Sequence, residues 1–460
     1  MLIRSWSLIL AGMLACSAAD YPPIQPPADP AALGLGIQRT MTLLATSTPS
    51  QHHHVRVLFY GQSITEQPWS KMVADDLRKR FPDADLEIEN RAIGGFAAQL
   101  LVKPAEHDLY PFYPDLLIFH VYGANKEYED IIRSARSRTT TEILMQTDHA
   151  NTWPAVITTD DDLKRLDKQD HGAWWSHLMN HVFLPDYAKR YGCGLCDVRT
   201  AWVDYLKANT LEPKALLKDG VHLNDYGCFV MSSIISRYLV YRPELPHDAW
   251  QDLVKDIAVG TAASFTGHHL KLEVDGNRID VIGGSAPAAV KATFLIDGKK
   301  PSEFAECHAI TRSKPGPWSA LFLTRVDHEA PLRTEDWTLT ITKVADDGKS
   351  WSYDVRGSLT GADGSGDSTT NFRSASGLVL IDQKSWFRGP PALKVGYAIT
   401  WSVKPLAVDA AQFLQSDATR EQAVTIAQGL SNGTHTLEID TEGDPGSAIH
   451  AIRVYRPPVR

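Results

Sequence analysis

Two textures of apolar and polar positions divide the chain. Up to about residue 241, short apolar runs alternate with segments whose apolar residues recur at helical spacing. Residues 55–60 run apolar like a buried strand and break at Gly61. Trp69, Met72, Val73 and Leu77 then fall on one face at helical spacing, which predicts a helix to about residue 81 with all four in its core. Residues 86–90 alternate apolar and charged, as a half-exposed edge strand does. Residues 115–120 and 142–146 are continuous apolar runs expected of central parallel strands, and 195–198 make a fifth strand. Helical patterns lie between them, and one over 227–241 closes the set. Strands alternating with helices predict an α/β fold with a parallel sheet covered on both faces.

The second texture begins near residue 262, after a Pro-containing stretch at 242–246. Leu270, Leu272 and Val274 alternate up to Asp275-Gly276, and Ile279 and Val281 alternate after it, which predicts a hairpin. Trp337, Leu339 and Ile341 alternate with threonines. Asp347-Gly348 turns the chain toward Trp351, Tyr353 and Val355, and Asn432-Gly433 precedes His435, Leu437 and Ile439. Residues 361–368 read as a polar loop. The sum is an all-β sandwich of roughly 200 residues. The expected division is a signal peptide over 1–19, a Pro-rich leader with a short helix over 20–50, an α/β domain over 51–245 and a β-sandwich domain over 246–460.

Composition narrows the partners. The 460 residues carry a formal net charge of −9. That balance argues against nucleic acid as the main partner and leaves a neutral or acetylated sugar polymer open. Arg4, the short apolar core 8–15 and Ser17-Ala18-Ala19 read as an export signal. Leu14-Ala15-Cys16 also resembles a lipoprotein box, so a periplasmic or extracellular chain is expected, either free or lipid-anchored through Cys16. No later segment is apolar enough to span a bilayer. Cys193-Gly-Leu-Cys196 has metal or redox spacing but lies in a predicted strand without a second ligand pair, so core cysteines are expected. His52-His53-His54 reads as a solvated loop before the first strand.

Four short blocks then stand out: Gly61-Gln62-Ser63-Ile64-Thr65, Asn90-Arg91-Ala92-Ile93-Gly94-Gly95, Gly123-Ala124-Asn125 and Asp219-Gly220-Val221-His222. Each follows a predicted strand or precedes a helix, and ligands of parallel sheets bind at strand carboxyl ends. Ser63 sits where a strand ends and a helix begins, so unpaired N–H groups at the helix start would favour an oxyanion there. Taken alone, the same stretch reads first as an ordinary turn with Ser63 as helix cap, and the rest of the chain decides between the two.

In order and context, these blocks over residues 55–240 resemble the SGNH hydrolases, the GDSL esterase/lipase family. The resemblance implies a three-layer α/β/α domain with a five-stranded parallel sheet. It implies Ser63 as nucleophile, His222 as general base and Asp219 as its orienting acid. It implies the N–H of Ser63, the N–H of Gly95 and the amide of Asn125 as an oxyanion hole. Gln62 and Lys126 depart from the aspartates usual at those places, which marks a divergent branch. The chemistry is coherent: a serine hydroxyl needs a base within hydrogen-bond reach, and histidine has the suitable pKa.

Trp153, Trp174 and Trp175, in the segment between the fourth and fifth strands, form either a sugar-stacking rim or the insertion's own small core. Trp318, Trp351, Trp386 and Trp401 line either a glycan platform or the sandwich core. The resemblance together with the appended sandwich leads to an exported serine esterase, acting without metal or organic cofactor on an acylated carbohydrate, most simply an O-acetyl ester of a polysaccharide. A lipid or short-chain acyl esterase and an inactive glycan-binding surface protein are the alternatives.

Overall fold

The computed structural model describes residues 21–246, 252–284, 289–414, 419–446 and 448–459. The export signal expected over 1–19, and Cys16 within it, lie outside the described residues.

Five parallel strands form the first sheet: β1 (His54–Gly61), β2 (Asp85–Asn90), β3 (Leu116–His120), β4 (Glu142–Gln146) and β5 (Gly194–Cys196). Their order is β2-β1-β3-β4-β5. Side chains alternate between faces along a strand, and the two faces bury separate apolar clusters. Val55, Val57 and Phe59 pack with Trp69, Val73 and Leu77 of helix Pro68–Arg80 and with Val230 and Ile234 of helix Asp225–Tyr238. Leu58, Tyr60, Leu117 and Phe119 pack on the other side with Tyr128, Ile131 and Ile132 of helix Asn125–Arg138. Helices therefore cover both faces, giving the three-layer α/β/α arrangement.

Met72 does not join its expected partners and is 38% exposed. At about 100° per residue it lies at the margin of the stripe, roughly 100° from Val73, with its sulfur 3.8 Å from Ser232 Oγ. Ser63 is likewise no helix cap. The helix begins at Pro68 after Gln67, and a turn intervenes in which Thr65 N–H and Glu66 N–H both donate to Gln62 O, at 2.8 and 3.2 Å. The leader forms a short helix, Gln38–Thr46, and lies against the same layer. Tyr21 stacks on Tyr226 at 4.0 Å, and Tyr205 Oη donates to Pro22 O at 2.8 Å. Cys196, Cys228 and Cys307 are buried, Cys193 is half-buried, and all four are free thiols. His52 and His54 turn to separate partners, Asp83 O and Asp85 Oδ2.

The rest of the chain is antiparallel. A six-stranded sheet contains Val254–Ala258, His269–Gly283, Val290–Ile296, Ala410–Phe413, Ala423–Glu442 and Ile449–Tyr455. A five-stranded sheet contains His308–Ile310, Glu335–Val344, Trp351–Gly357, Gly361–Asp367 and Ala398–Pro405. Each has its own apolar cluster. The five-stranded antiparallel sheet is built from the chain between Val290–Ile296 and Ala410–Phe413, two strands of the six-stranded sheet.

Two local expectations fail here. Asp275-Gly276 is not a hairpin turn, because His269–Gly283 runs straight through it as one strand. The glycine serves close packing instead: a Cβ there would stand 2.3 Å from Tyr455 O. Residues 361–367 are not a loop but an edge strand paired to Trp351–Gly357. Their glycine, serine and aspartate content conceals this, since an edge strand takes its hydrogen bonds from one neighbour and has little side-chain packing to specify.

The β region is joined to the α/β layer by buried polar contacts. Arg312 brings Nε within 2.8 and 2.9 Å of the Asp108 carboxylate oxygens and donates from Nη2 to Arg91 O at 2.6 Å. Tyr113 Oη donates to Asn277 Oδ1 at 2.9 Å, and Asn277 Nδ2 to Arg138 O at 2.8 Å. Phe322, from the β region, is part of the α/β apolar cluster. His107 donates from Nδ1 to Ile310 O at 2.9 Å and accepts at Nε2 from Val326 N–H at 3.2 Å. This pairing needs a neutral ring, and burial lowers the His107 pKa from 6.5 to about 4.

A pH dependence follows at this seam. Between about pH 6.5 and 4 the unfolded chain binds a proton at residue 107 that the folded chain refuses. Stability is therefore fully present above this window, falls as pH drops through it and levels off below. His107 accounts for a loss on the order of 3 kcal/mol. Urea unfolding midpoints measured from pH 7 to 4 should fall less steeply in His107→Gln than in the wild type. Identical slopes would remove His107 from the account.

Candidate active site

The turn after β1 carries Ser63, the loop after β2 carries Gly95, the loop after β3 leads to Asn125, and the loop before helix Asp225–Tyr238 carries Asp219 and His222. Parallel strands deliver the first three to one end of the sheet. Pairing continues past the end of β2, with Arg91 N–H donating to Phe59 O at 3.0 Å and Ile93 N–H to Gly61 O at 2.9 Å. Asn90 ties this loop to the serine turn, donating from Nδ2 to Thr65 O at 2.7 Å and to Ser70 Oγ at 3.0 Å.

Ser63, His222 and Asp219 meet. Ser63 Oγ lies 3.0 Å from His222 Nε2, and His222 Nδ1 lies 2.9 Å from Asp219 Oδ2. The acid is solvent-exposed, yet it is fixed by its own loop: Asp219 Oδ1 accepts the N–H groups of Val221 and His222, both at 2.7 Å. Those backbone donors, then the imidazole, hold its pKa far below the usual carboxylate range. The acid therefore stays ionised, and the tautomer with the proton on Nδ1 leaves Nε2 free to accept from the serine.

Gly95 has φ of +77°, a backbone conformation that favours glycine. The backbone N–H groups of Ser63 and Gly95 bond no acceptor among the described residues, whereas the neighbouring Gly94 N–H donates to Glu66 Oε1 at 2.8 Å. Asn125 is the first residue of its helix, and its amide reaches Tyr187 Oη at 3.4 Å, which leaves its second N–H free. Gln62 is buried beside Ser63, and its Nε2 has no partner among the described residues.

Several groups that hold the Asp219–His222 loop carry no short-range signal in the sequence. Gln67 clamps Leu223, the residue after His222, from both sides of its amide: Nε2 donates to Leu223 O at 2.9 Å and Oε1 accepts from Leu223 N–H at 3.0 Å. His149 Nε2 donates to Val221 O at 2.9 Å, and Asn151 Nδ2 to Gly220 O at 3.2 Å. Burial lowers the His149 pKa to about 4, so the ring is neutral at pH 7 and Nε2 keeps its proton for that bond.

Beside the Asp219–His222 loop lies a cavity of about 530 Å³, lined by Gly123, Val221, Trp153, Trp175 and Arg199 among others. Trp175 Nε1 donates to Gly123 O at 3.2 Å, and Trp153 Nε1 to Glu212 Oε2 at 2.9 Å. Trp174 is not in the lining and stacks on His171 at 4.8 Å. No group of three or more His, Cys, Asp or Glu side chains among the described residues is arranged to hold a metal ion. No helix among them is long and apolar enough to cross a membrane.

No protein-family model matches the chain, and no curated protein matches it. Solved structures do. A two-domain esterase active on acetylated mannans, co-crystallised with mannopentaose, is 16% identical over 92% of this chain and 96% of that one, with a TM-score of 0.36. An acetylxylan esterase from Geobacillus stearothermophilus is 17% identical over 42% of this chain and 98% of its own, with a TM-score of 0.32. An α/β-hydrolase enzyme from the metagenome of Lake Arreo, Spain, is 19% identical over 42% and 98%, with a TM-score of 0.33. In this chain Ser63, His222 and Asp219 form a series of short contacts in which an imidazole nitrogen stands within hydrogen-bond reach of a serine hydroxyl.

Gln67→Leu should expose the importance of the clamp. Removing both bonds to Leu223 lets His222 shift, and labelling of Ser63 by a fluorophosphonate should slow roughly 10- to 100-fold. An unchanged labelling rate in the folded variant would show that the loop holds its place without Gln67.

Proposed function

We propose that the protein is a serine esterase that hydrolyses O-acyl esters, most simply O-acetyl esters on a polysaccharide. The supporting observation is the unbroken chain of short contacts from Ser63 Oγ through the His222 imidazole to Asp219. In this reading Ser63 Oγ attacks the ester carbonyl while His222 Nε2 takes its proton. The tetrahedral oxyanion is met by the free N–H groups of Ser63 and Gly95 and the amide of Asn125, a kind of stabilisation of which one donor is typically worth about 3–4 kcal/mol. The intermediate collapses to an acyl-enzyme, and the leaving sugar oxygen takes the proton from His222. Water, deprotonated by the same ring, then releases the acid and restores Ser63. No step calls for a metal or organic cofactor.

The carbohydrate part of the reading rests on the surroundings. Trp153 is 42% exposed on the rim of the cavity beside the catalytic loop, and Trp175 lines its wall. These two, rather than Trp174, are the aromatic contacts for a sugar ring in this proposal. Residues 51–245 would form the catalytic part and 246–460 the accessory part. Export is proposed from residues 1–19, either with loss of the signal or with a lipid on Cys16.

Wild type should hydrolyse p-nitrophenyl acetate and release acetate from an O-acetylated polysaccharide. Ser63→Ala should lower kcat on both by at least about 10³-fold. A wild type no faster than Ser63→Ala on either substrate would overturn the esterase reading.

A further inference from the structure

Trp318, Trp351, Trp386 and Trp401 have different fates in the β region. Trp351 and Trp401 are buried, at 6% and 2% exposure, and Trp386 packs against the same cluster. Trp318 is 54% exposed. A large aromatic left in water forgoes the stabilisation that burial would supply. Its place is nevertheless closely built. It sits in a tight turn, where Ser319 N–H donates to Gly316 O at 3.1 Å and Ser319 Oγ donates to Leu321 O at 3.2 Å.

The indole lies against the candidate oxyanion loop. A Cβ on Gly95 would stand 2.7 Å from Trp318 Cζ2 and 2.9 Å from Cη2. Phe387 meets Trp318 edge-on at 6.2 Å and packs on Phe96 at 4.8 Å, and Phe96 meets Phe322 at 6.1 Å. Phe96 directly follows Gly95. An aromatic series thus anchors this ring of the β region to the loop beside the nucleophile, and more than half of the side chain still faces solvent.

We propose that Trp318 is a substrate-binding residue: its exposed face is the platform on which the pyranose ring of an acylated saccharide stacks while its ester enters the site at Ser63. The inference rests on the esterase reading and deepens it, because the binding site is then completed by the β region. Trp318 lies by the loop after β2, whereas Trp153 and Trp175 line the cavity by the loops after β3 and β4. A glycan crossing the nucleophile therefore meets an aromatic ring on either side. A sugar suits the surface better than a long acyl chain. A ring needs one flat apolar face, whereas a chain needs a continuous apolar channel, and the aromatic neighbours of Trp318 and the apolar residues of its anchor, Phe96 and Phe322, are already packed against one another.

The test compares wild type, Trp318→Ala and Trp318→Phe on chemically O-acetylated xylo-, manno- and cello-oligosaccharides and on p-nitrophenyl acetate. The expected result for Trp318→Ala is a KM for the preferred oligosaccharide raised roughly tenfold or more, with a smaller change in kcat. The loss on p-nitrophenyl acetate, which has no sugar ring, should be several-fold smaller, and Trp318→Phe should recover most of the KM. Calorimetric binding of the same oligosaccharide to Ser63→Ala, weakened by a similar factor in Ser63→Ala/Trp318→Ala, reads the contact without turnover. Equal losses on both substrates would assign Trp318 a structural role under Gly95 and overturn the proposal, as would an unchanged KM and affinity. Absence of any Ser63-dependent turnover in the wild type would instead overturn the esterase reading.

Discussion

Ser63 and His222 are 159 residues apart and meet within a single hydrogen bond. Most of the α/β layer serves that meeting. The apolar clusters on the two faces of the sheet fix where β1 ends, and so where the serine turn begins. Packing alone does not position the other partner, which lies on an exposed loop. Polar clamps do that work: Gln67 from the serine side, His149 and Asn151 from beyond β4. Each replaces water on a backbone group of the loop, so the loop can be ordered while remaining open to a substrate.

The exposure of Asp219 fits the same logic. An orienting acid is commonly kept ionised and immobile by burial in a polar pocket. Here two backbone N–H groups of the residues it precedes do so, at the surface. The Asp219–His222 stretch is thus a self-organised unit. Once its ends are held, the carboxylate, the tautomer and the direction of Nε2 follow together.

Much of the fold was legible because the central parallel strands are buried on both faces and read as continuous apolar runs, as residues 116–120 and 142–146 do, while the edge strand over 86–90 shows itself by alternation. Helix positions followed from periodicity, except where Met72 stands at the edge of its stripe. The errors share a cause. Asp275-Gly276 has turn chemistry in the short range, but the glycine answers a carbonyl contributed by Tyr455, far along the chain. Residues 361–367 have no strand composition because an edge partner asks little of their side chains. The site divides similarly. Ser63, Gly95, Asn125, Asp219 and His222 sit in short motifs, so proximity in sequence announces them. Gln67, His149 and Trp318 owe their places to contacts with distant segments, and no local pattern marks them. For the tryptophans, sequence could pose the choice between platform and core, but only packing separates Trp318 from Trp401.

Phe322 has a further meaning. It belongs to the β region by sequence, yet it lies fully buried in the cluster beneath the loop of Gly95, against Phe96. A boundary drawn near residue 246 is therefore a boundary of topology and not of the core. The C-terminal half contributes to the core of the α/β layer and is not merely appended to it. Any replacement would have to bring its own plug for the space beside Phe96, and recombination across the boundary is constrained to partners that already carry one. The two halves of the chain thus share one aromatic packing layer.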